Sequence, residues 1–171
     1  RKLQAVETLG SADIVCTDKT GTLTRNEMTV RSVFFDAKEI SVQGSGYEVK
    51  GGFSQTGSNF VLSEQFKLFA TASSLCTTAE LVKTPTGIKT VGDGTELALV
   101  VMAAKAGFDK RETASKWPKI SELPFESERK MMSTIHENPS GNVGPVSGKY
   151  AVFTKGAPEM IVEKCSTAFW G

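Results

Sequence analysis

The chain has 171 residues, 39% of them hydrophobic, which fits one moderate domain or one domain with a piece of another. Its 20 Lys and Arg side chains nearly balance 19 Asp and Glu, so charge gives no reason to expect nucleic acid or an anionic membrane as a partner. Three widely spaced cysteines and one histidine argue against a soft-metal site and favour a reducing, cytosolic setting. Without a signal segment or an apolar run of about 20 residues, we expect a soluble chain.

The first predicted element is a short buried strand over residues 12–17, built on Ile14 and Val15. It ends at Asp18, and open α/β sheets place their sites beyond the carboxyl ends of their strands. Two further strands are predicted, at Met28–Phe35 and Ile40–Val42. The glycines that follow, up to Asn59, lack the order of a phosphate-binding loop and indicate turns between short strands.

Two helices are predicted next, because apolar residues recur there at helical spacing. The first starts near Leu62 with Ser63 as its N-cap, and the second runs from Thr95 to Ala106 with one apolar face and Gly107 after it. The run 84–87 between them is predicted to be a surface turn.

The last third of the chain is predicted to be mainly β. Its three strands cover residues 120–125, 131–136 and 150–154, and a polar, glycine-rich loop over 138–148 joins the last two as a long hairpin. Pro158 then opens a helix that reaches Cys165. The predicted fold is therefore α/β: a mainly antiparallel sheet with helices, preceded by one strand that belongs to a separate, parallel sheet.

Asp18 is the residue with the clearest chemical potential. A carboxylate at a strand end, followed by Lys19, Thr20, Gly21 and Thr22, has the groups needed to attack a phosphoryl centre as a nucleophile and to hold the phosphoryl oxygens, with Mg²⁺ bridging carboxylate and phosphate. An ordinary turn aspartate explains the same local sequence, so the two interpretations stay open at this level.

The longer string D-K-T-G-T-L-T, residues 18–24, resembles the phosphorylation signature of P-type ATPases, membrane ion pumps of the haloacid-dehalogenase superfamily. The resemblance implies that ATP phosphorylates Asp18 and that Lys19 steadies the phosphoryl group. It also implies that Thr20 gives its carbonyl to Mg²⁺ and its hydroxyl to the phosphate, so that Asp18 and Thr20 are the metal residues. The sequence before the motif is similar to the segment that joins a membrane helix to the phosphorylation domain, and N-E-M-T-V after it to the exit strand.

Three downstream motifs resemble the nucleotide-binding domain of the same family, in the family's order. The resemblance of G-D-G-T-E implies that Glu96 binds the adenine amino group. The resemblance of F-E-S-E-R-K-M-M-S implies that Phe125 stacks on the adenine ring and that Lys130 lies near the nucleotide. K-G-A-P-E implies that Lys155 lines the adenine pocket and that Gly156 lets the backbone approach the base. A ribose or phosphate contact at Ser127 is a secondary expectation.

Each of these residues also has an ordinary structural interpretation. Phe125 could belong to the core, Glu96 could complement a helix dipole, and Lys130 and Lys155 could be solvated. Their occurrence together in family order favours one pocket. Gly94 departs from the family, where proline or alanine is frequent, and should loosen the start of the helix.

The resemblance implies a domain arrangement and a setting. Residues 1–28 are expected to begin the phosphorylation domain with its Rossmann-like first strand, and residues 29–171 to form a nucleotide-binding domain truncated at its C-terminal end. The partners would be the rest of the pump chain, on the cytoplasmic side of a membrane, with the fragment itself not inserted. Asp18 is expected to be unreactive in this chain, and residues 1–11 poorly ordered.

Three segments are most similar in sequence to the calcium-pump branch, namely E-T-L-G, G-S-G-Y and the segment of Phe125. The chain contains no residue of a transport site. Sodium/potassium and proton pumps stay open. A soluble phosphatase of the same superfamily is disfavoured, because such enzymes commonly carry a second aspartate where this chain has Thr20. A non-catalytic nucleotide-binding module is the remaining alternative.

Overall fold

The computed structural model describes residues 10–14, 16–24, 27–56, 58–85, 87–139, 141–143 and 146–169. Over these residues the chain forms eleven strands, all paired antiparallel, and four α-helices. The first six strands are β1 (Ser32–Phe35), β2 (Lys38–Val42), β3 (Phe53–Gln55), β4 (Ser58–Asn59), β5 (Glu80–Thr84) and β6 (Gly87–Val91). The remaining strands are β7 (Lys119–Glu126), β8 (Met131–Glu137), β9 (Asn142–Val143), β10 (Val146–Ser147) and β11 (Tyr150–Gly156). The helices are α1 (Glu64–Leu75), α2 (Gly94–Lys105), α3 (Lys110–Lys116) and α4 (Pro158–Val162).

The strands form separate sheets rather than one. A four-stranded sheet has the order β1-β2-β3-β4, a three-stranded sheet has the order β11-β8-β7, and two hairpins pair β5 with β6 and β9 with β10. The predicted antiparallel character and the long hairpin between β8 and β11 are confirmed. The predicted loop over 138–148 contains the small β9–β10 hairpin.

Helix α1 packs against both larger sheets. Its predicted cap is confirmed, because the Ser63 hydroxyl accepts a hydrogen bond of 3.2 Å from the Phe66 backbone N–H. Phe66 is fully buried against β1, β2 and β3, in a cluster of edge-on aromatic rings. At the other end of the helix, Leu75 and Cys76 pack against the three-stranded sheet in a second core with Trp117, Met132, Ala151 and Phe153.

Helix α2 is more buried than its sequence pattern predicts. The helix packs against α1, the four-stranded sheet and the β5–β6 hairpin, so residues on several sides of it are buried. These residues are Leu97, Ala98, Val100, Val101, Met102 and Ala103. Asp93 caps its start, accepting a hydrogen bond of 2.8 Å from the Thr95 N–H, so the helix begins at Gly94 despite the glycine.

Several predicted elements are wrong. The described residues of 12–17 form no strand, and Ile14 is 82% exposed, because no described strand pairs with this segment to bury it. The strand predicted from Met28 begins only at Ser32, and the helix predicted to reach Cys165 ends at Val162. The surface turn predicted between the two long helices is confirmed, because Thr84 pairs with Gly87 at the end of the β5–β6 hairpin and Pro85 is an exposed turn residue.

Residues 1–9, part of the predicted joining segment, lie outside the described residues. No helix in the described part of the chain is both long and apolar enough to cross a membrane.

Candidate functional site

Five of the residues predicted to bind nucleotide meet at one end of the three-stranded sheet. In the sheet register Glu126 of β7 lies opposite Met131 of β8, which in turn lies opposite Gly156 of β11. Each predicted residue occupies one of these strand ends or the turn between β7 and β8: Phe125, Ser127, Lys130, Lys155 and Gly156. The sheet topology therefore joins two motifs that are about thirty residues apart in the sequence.

Glu96 reaches the same place from the first turn of α2. Its Oε1 lies 2.5 Å from the Nζ of Lys155, and both side chains are mostly buried, with exposed fractions of 14% and 26%. Its Oε2 accepts hydrogen bonds from the Thr78 N–H at 2.9 Å, the Thr78 hydroxyl at 2.8 Å and the Ala79 N–H at 3.1 Å. The carboxylate thus binds a cation through one oxygen and three neutral donors through the other.

These donors decide the charge state of Glu96. Burial raises the pKa of its carboxyl, but hydrogen bonds from Lys155, Thr78 and Thr77 outweigh burial and lower the pKa from 4.5 to about 2. At neutral pH Glu96 is therefore an ionised, acceptor-only group in a half-enclosed site.

The backbone of Lys130 and Gly156 is closely packed. Lys130 has a φ of +51°, unusual for a residue with a side chain, and its carbonyl accepts a hydrogen bond of 3.0 Å from the Ala157 N–H. A Cβ on Gly156 would overlap that carbonyl oxygen and lie 2.7 Å from the Cβ of Met131. Only glycine fits at position 156 without displacing β11 from β8.

Phe125 and Ser127 are exposed. Phe125 keeps 60% of its surface accessible, so it is not a core residue and a ligand could reach its side chain. The Nζ of Lys130 lies 4.0 Å from a carboxylate oxygen of Glu159, and both side chains are more than half exposed. This side of the site therefore offers an aromatic surface and a solvated cation.

Asp18 lies in a different part of the chain. Its carboxylate is exposed and accepts a hydrogen bond of 2.7 Å from the Lys19 N–H, at the start of a single π-helical turn, Lys19–Leu23. None of the hydrogen bonds or ion pairs described for residues 10–24 reaches Glu96 or Lys155. The described residues contain no group of three or more His, Cys, Asp or Glu side chains that could hold a metal.

Two further parts of the site carry no recognisable sequence motif: the segment between α1 and β5, and Lys110, which binds that segment. Thr78 and Ala79 bind Glu96 mainly through backbone groups, which no side-chain pattern reveals. Lys110, on α3, donates hydrogen bonds to the carbonyls of Thr77 and Ala79. Cys76, just before this segment, is buried with its thiol directed at the Phe153 carbonyl, and burial raises its pKa.

The chain is similar in sequence to cation-transporting ATPases from several organisms. The calcium-transporting ATPase of Bacillus subtilis is 40% identical over 99% of this chain and 18% of its own length. The probable cation-transporting ATPase F of Mycobacterium tuberculosis is 40% identical over 98% of this chain and 18% of its own length. The sodium/potassium-transporting ATPase subunit alpha of Drosophila melanogaster is 36% identical over 99% of this chain and 16% of its own length.

This chain therefore spans less than a fifth of the length of these relatives. The family model described as P-type ATPase, cytoplasmic domain N, matches residues 65–171, which include α1 from its second residue and every predicted nucleotide-binding residue. The chain belongs to the P-type ATPase family, and residues 65–171 correspond to its cytoplasmic domain N.

Proposed function

We propose that this chain is the ATP-binding part of a cation-transporting P-type ATPase, in which ATP hydrolysis drives transport through an aspartyl phosphate. In this proposal residues 1–28 begin the phosphorylation domain and residues 29–171 belong to the nucleotide-binding domain. The observation that carries the proposal is the Glu96–Lys155 pair, which lies at the same end of the three-stranded sheet as the exposed ring of Phe125.

The base of ATP is proposed to bind at this sheet end. The ring of Phe125 stacks on adenine, which is worth about 1–3 kcal/mol by analogy with other aromatic–base contacts. Glu96 accepts a hydrogen bond from the adenine amino group through Oε1, because its other oxygen already has three donors. Lys155 donates to a ring nitrogen, and Gly156 leaves room for the base beside the backbone.

The phosphates are proposed to extend away from the sheet end towards Lys130 and Ser127. In the phosphoryl transfer, the Asp18 carboxylate is the nucleophile, Lys19 stabilises the transferred group, and Thr20 contributes its hydroxyl and its carbonyl. Mg²⁺ would be held by Asp18 and Thr20 with phosphate oxygens, which fits a cation that often uses one or two carboxylates and substrate phosphates. When bound, the ion supplies positive charge at the phosphates.

The transported ion is proposed to be Ca²⁺, which is supported by the similarity to the calcium-transporting ATPase of Bacillus subtilis and by the similarity of three segments to the calcium-pump branch. The partners would then be the remaining domains of the pump chain: the rest of the phosphorylation domain, the actuator domain and the transmembrane helices. Such a chain would work on the cytoplasmic side of its membrane.

Titration of the 171-residue chain with ATP, followed by amide NMR and calorimetry, tests the nucleotide site. We expect shifts centred on Glu96, Phe125, Lys130 and Lys155. We expect Phe125→Ala to weaken binding by about five- to a hundredfold, because a stacking contact of this size corresponds to that factor.

Phe34→Ala is the matched control. Phe34 is also an exposed phenylalanine on a strand, 72% accessible, but it lies on the four-stranded sheet. Its replacement should leave ATP affinity unchanged. Equal affinities for the wild-type chain and Phe125→Ala, or shifts that avoid the sheet end, would refute the proposed site.

A further inference from the structure

The segment Thr77–Ala79 lies between two charged groups. Its N–H groups at Thr78 and Ala79 donate to the Glu96 carboxylate, while its carbonyls at Thr77 and Ala79 accept from the Lys110 ammonium at 2.9 and 2.6 Å. The segment connects α1 to β5 and belongs to neither element. Its backbone polar groups are thus satisfied largely by these two side chains.

One peptide group connects the two charges directly. The carbonyl of Thr77 and the N–H of Thr78 belong to the same planar trans peptide, so they point in opposite directions. Lys110 binds the oxygen end of this peptide and Glu96 binds its hydrogen end. A cation at the carbonyl polarises the peptide and strengthens its N–H as a donor to the carboxylate.

The position of Lys110 is fixed by its own helix. It is the first residue of α3, whose start is capped by Asp109 through a hydrogen bond of 3.0 Å from the Arg111 N–H. The Thr113 hydroxyl donates a hydrogen bond of 2.7 Å to the Asp109 carbonyl, and Trp117, directly after the helix, is buried in the second core. Lys110 therefore lies at the capped start of a short helix that is followed directly by a buried residue.

Burial around Lys110 lowers the pKa of its ammonium group, so keeping a charge there has an energetic cost that the two carbonyls offset. Its stem also lines a cavity of about 450 Å³ between the β5–β6 hairpin and helices α2 and α3. A lysine without a role in the fold or the site would gain by turning its ammonium to the solvent.

We propose that Lys110 is a positioning residue for the nucleotide site: through the segment Thr77–Ala79 it holds Glu96 in the orientation that recognises the amino group of the base. This inference rests on the proposed function. Among the described contacts, the Nζ of Lys110 has no direct hydrogen bond to Glu96. The two carbonyls that it binds lie more than thirty residues away in the sequence.

The test compares Lys110→Met with Lys116→Met in the 171-residue chain. Methionine keeps the length and apolar stem of lysine but donates no hydrogen bond, and Lys116 is an exposed lysine on the same helix. We measure the affinities for ATP and for inosine triphosphate, which carries an oxygen acceptor in place of the amino donor. Lys110→Met should weaken ATP binding about three- to tenfold, leave inosine triphosphate binding unchanged, and so reduce the ratio of the two affinities. Lys116→Met should change neither.

Two further variants guard against a simple loss of folding. Lys110→Arg, which can donate to both carbonyls, should restore the affinity ratio, and Lys110→Gln, with a neutral donor, should give an intermediate ratio. If Lys110→Met lowers both affinities by the same factor, or leaves the ATP affinity at the wild-type value, the positioning role is wrong.

The nucleotide-free chain provides a separate readout. The amide signals of Thr78 and Ala79 should shift in Lys110→Met while signals of the four-stranded sheet stay in place; unchanged signals at Thr78 and Ala79 would overturn the inference alone. Failure of the wild-type chain to bind ATP would instead overturn the proposed function, and the positioning role with it.

Discussion

Glu96 shows how neighbouring donors can keep a mostly buried carboxylate ionised. Burial alone would raise its pKa and favour the neutral acid, in which one oxygen carries a proton and acts as a donor. Lys155 and the donors of Thr77 and Thr78 reverse that tendency and lower the pKa to about 2. The residue is therefore an acceptor at any physiological pH, which is the state needed to recognise an amino group.

The lowered pKa of Glu96 predicts a pH-dependent stability. Because the folded-state pKa is about 2 and the ordinary value is 4.5, the carboxylate contributes its full stability above about pH 5 and loses it as the pH falls towards 2. Glu96→Gln should therefore cost about 2 kcal/mol at pH 7, the scale of hydrogen bonds to a charged group. The cost should shrink towards zero near pH 2, as measured by urea unfolding across this range.

Glu163→Gln serves as the control for removing a negative charge, since Glu163 is exposed and no side-chain hydrogen bond or ion pair is described for it. A Glu96→Gln cost that stays constant between pH 7 and pH 2 would contradict the role assigned to the ionised carboxylate.

At the scale of elements, the site depends on how the end of β11 fits against the turn before β8. Gly156 touches the backbone of Lys130 and the start of β8, so the two strands approach more closely there than a side chain at 156 allows. The same approach brings Lys155 and Lys130 to one end of the sheet. Backbone fit therefore sets the spacing between the two lysines.

Gly156→Ala should separate β11 from the Lys130 turn. The added methyl group would overlap the Lys130 carbonyl oxygen, and relieving such overpacking typically costs about 1–3 kcal/mol. Thermal unfolding should show this loss of stability, and ATP affinity should fall because Lys155 moves with the strand.

Gly107→Ala is a useful comparison, because a Cβ at Gly107 would meet no atom within 4 Å, although its φ of +89° is also unfavourable for alanine. It should lower stability through backbone strain and leave ATP affinity unchanged. If Gly156→Ala retains wild-type affinity, close approach of the backbone at that point is not needed for the site.

The sequence predicts elements well where local signals are strong. The cap at Ser63, the helix that carries Glu96 and the three strands after Trp117 all follow from periodicity and capping residues. Helix α3 was missed because its seven residues, K-R-E-T-A-S-K, have no apolar stripe; its only buried member is Thr113. The prediction of a strand over 12–17 is wrong although that segment does have an apolar run, because no described strand pairs with the run and buries it.

The same distinction applies to the site. Side chains within recognisable motifs were found, including the two members of the ion pair, Glu96 and Lys155. The groups that hold Glu96 were not, because backbone N–H groups carry no sequence signature and Lys110 acts from a helix that was not predicted. The backbone groups of a connecting segment can be assigned to a site only when the packing of the chain is known.

At the scale of the whole molecule, the two halves of the proposed reaction lie in differently organised parts of the chain. The nucleotide residues share one sheet end and a buried ion pair, whereas the loop of Asp18 is exposed and its described hydrogen bonds are all within residues 17–24. Phosphoryl transfer requires the nucleophile within about 3–3.5 Å of the phosphorus, in line with the leaving oxygen. Nothing described in the chain holds Asp18 in such a position relative to the sheet end.

We therefore predict that the 171-residue chain binds ATP without becoming phosphorylated. Incubation with γ-labelled ATP and Mg²⁺, followed by acid quench, should give no more label than Asp18→Asn, because the described residues provide no metal cluster beside Asp18. Calorimetry on the same sample shows whether the nucleotide site is occupied, which separates a failure of chemistry from a failure of binding. Label that is stable to acid, lost with hydroxylamine and absent in Asp18→Asn would mean that the loop reaches bound ATP by itself.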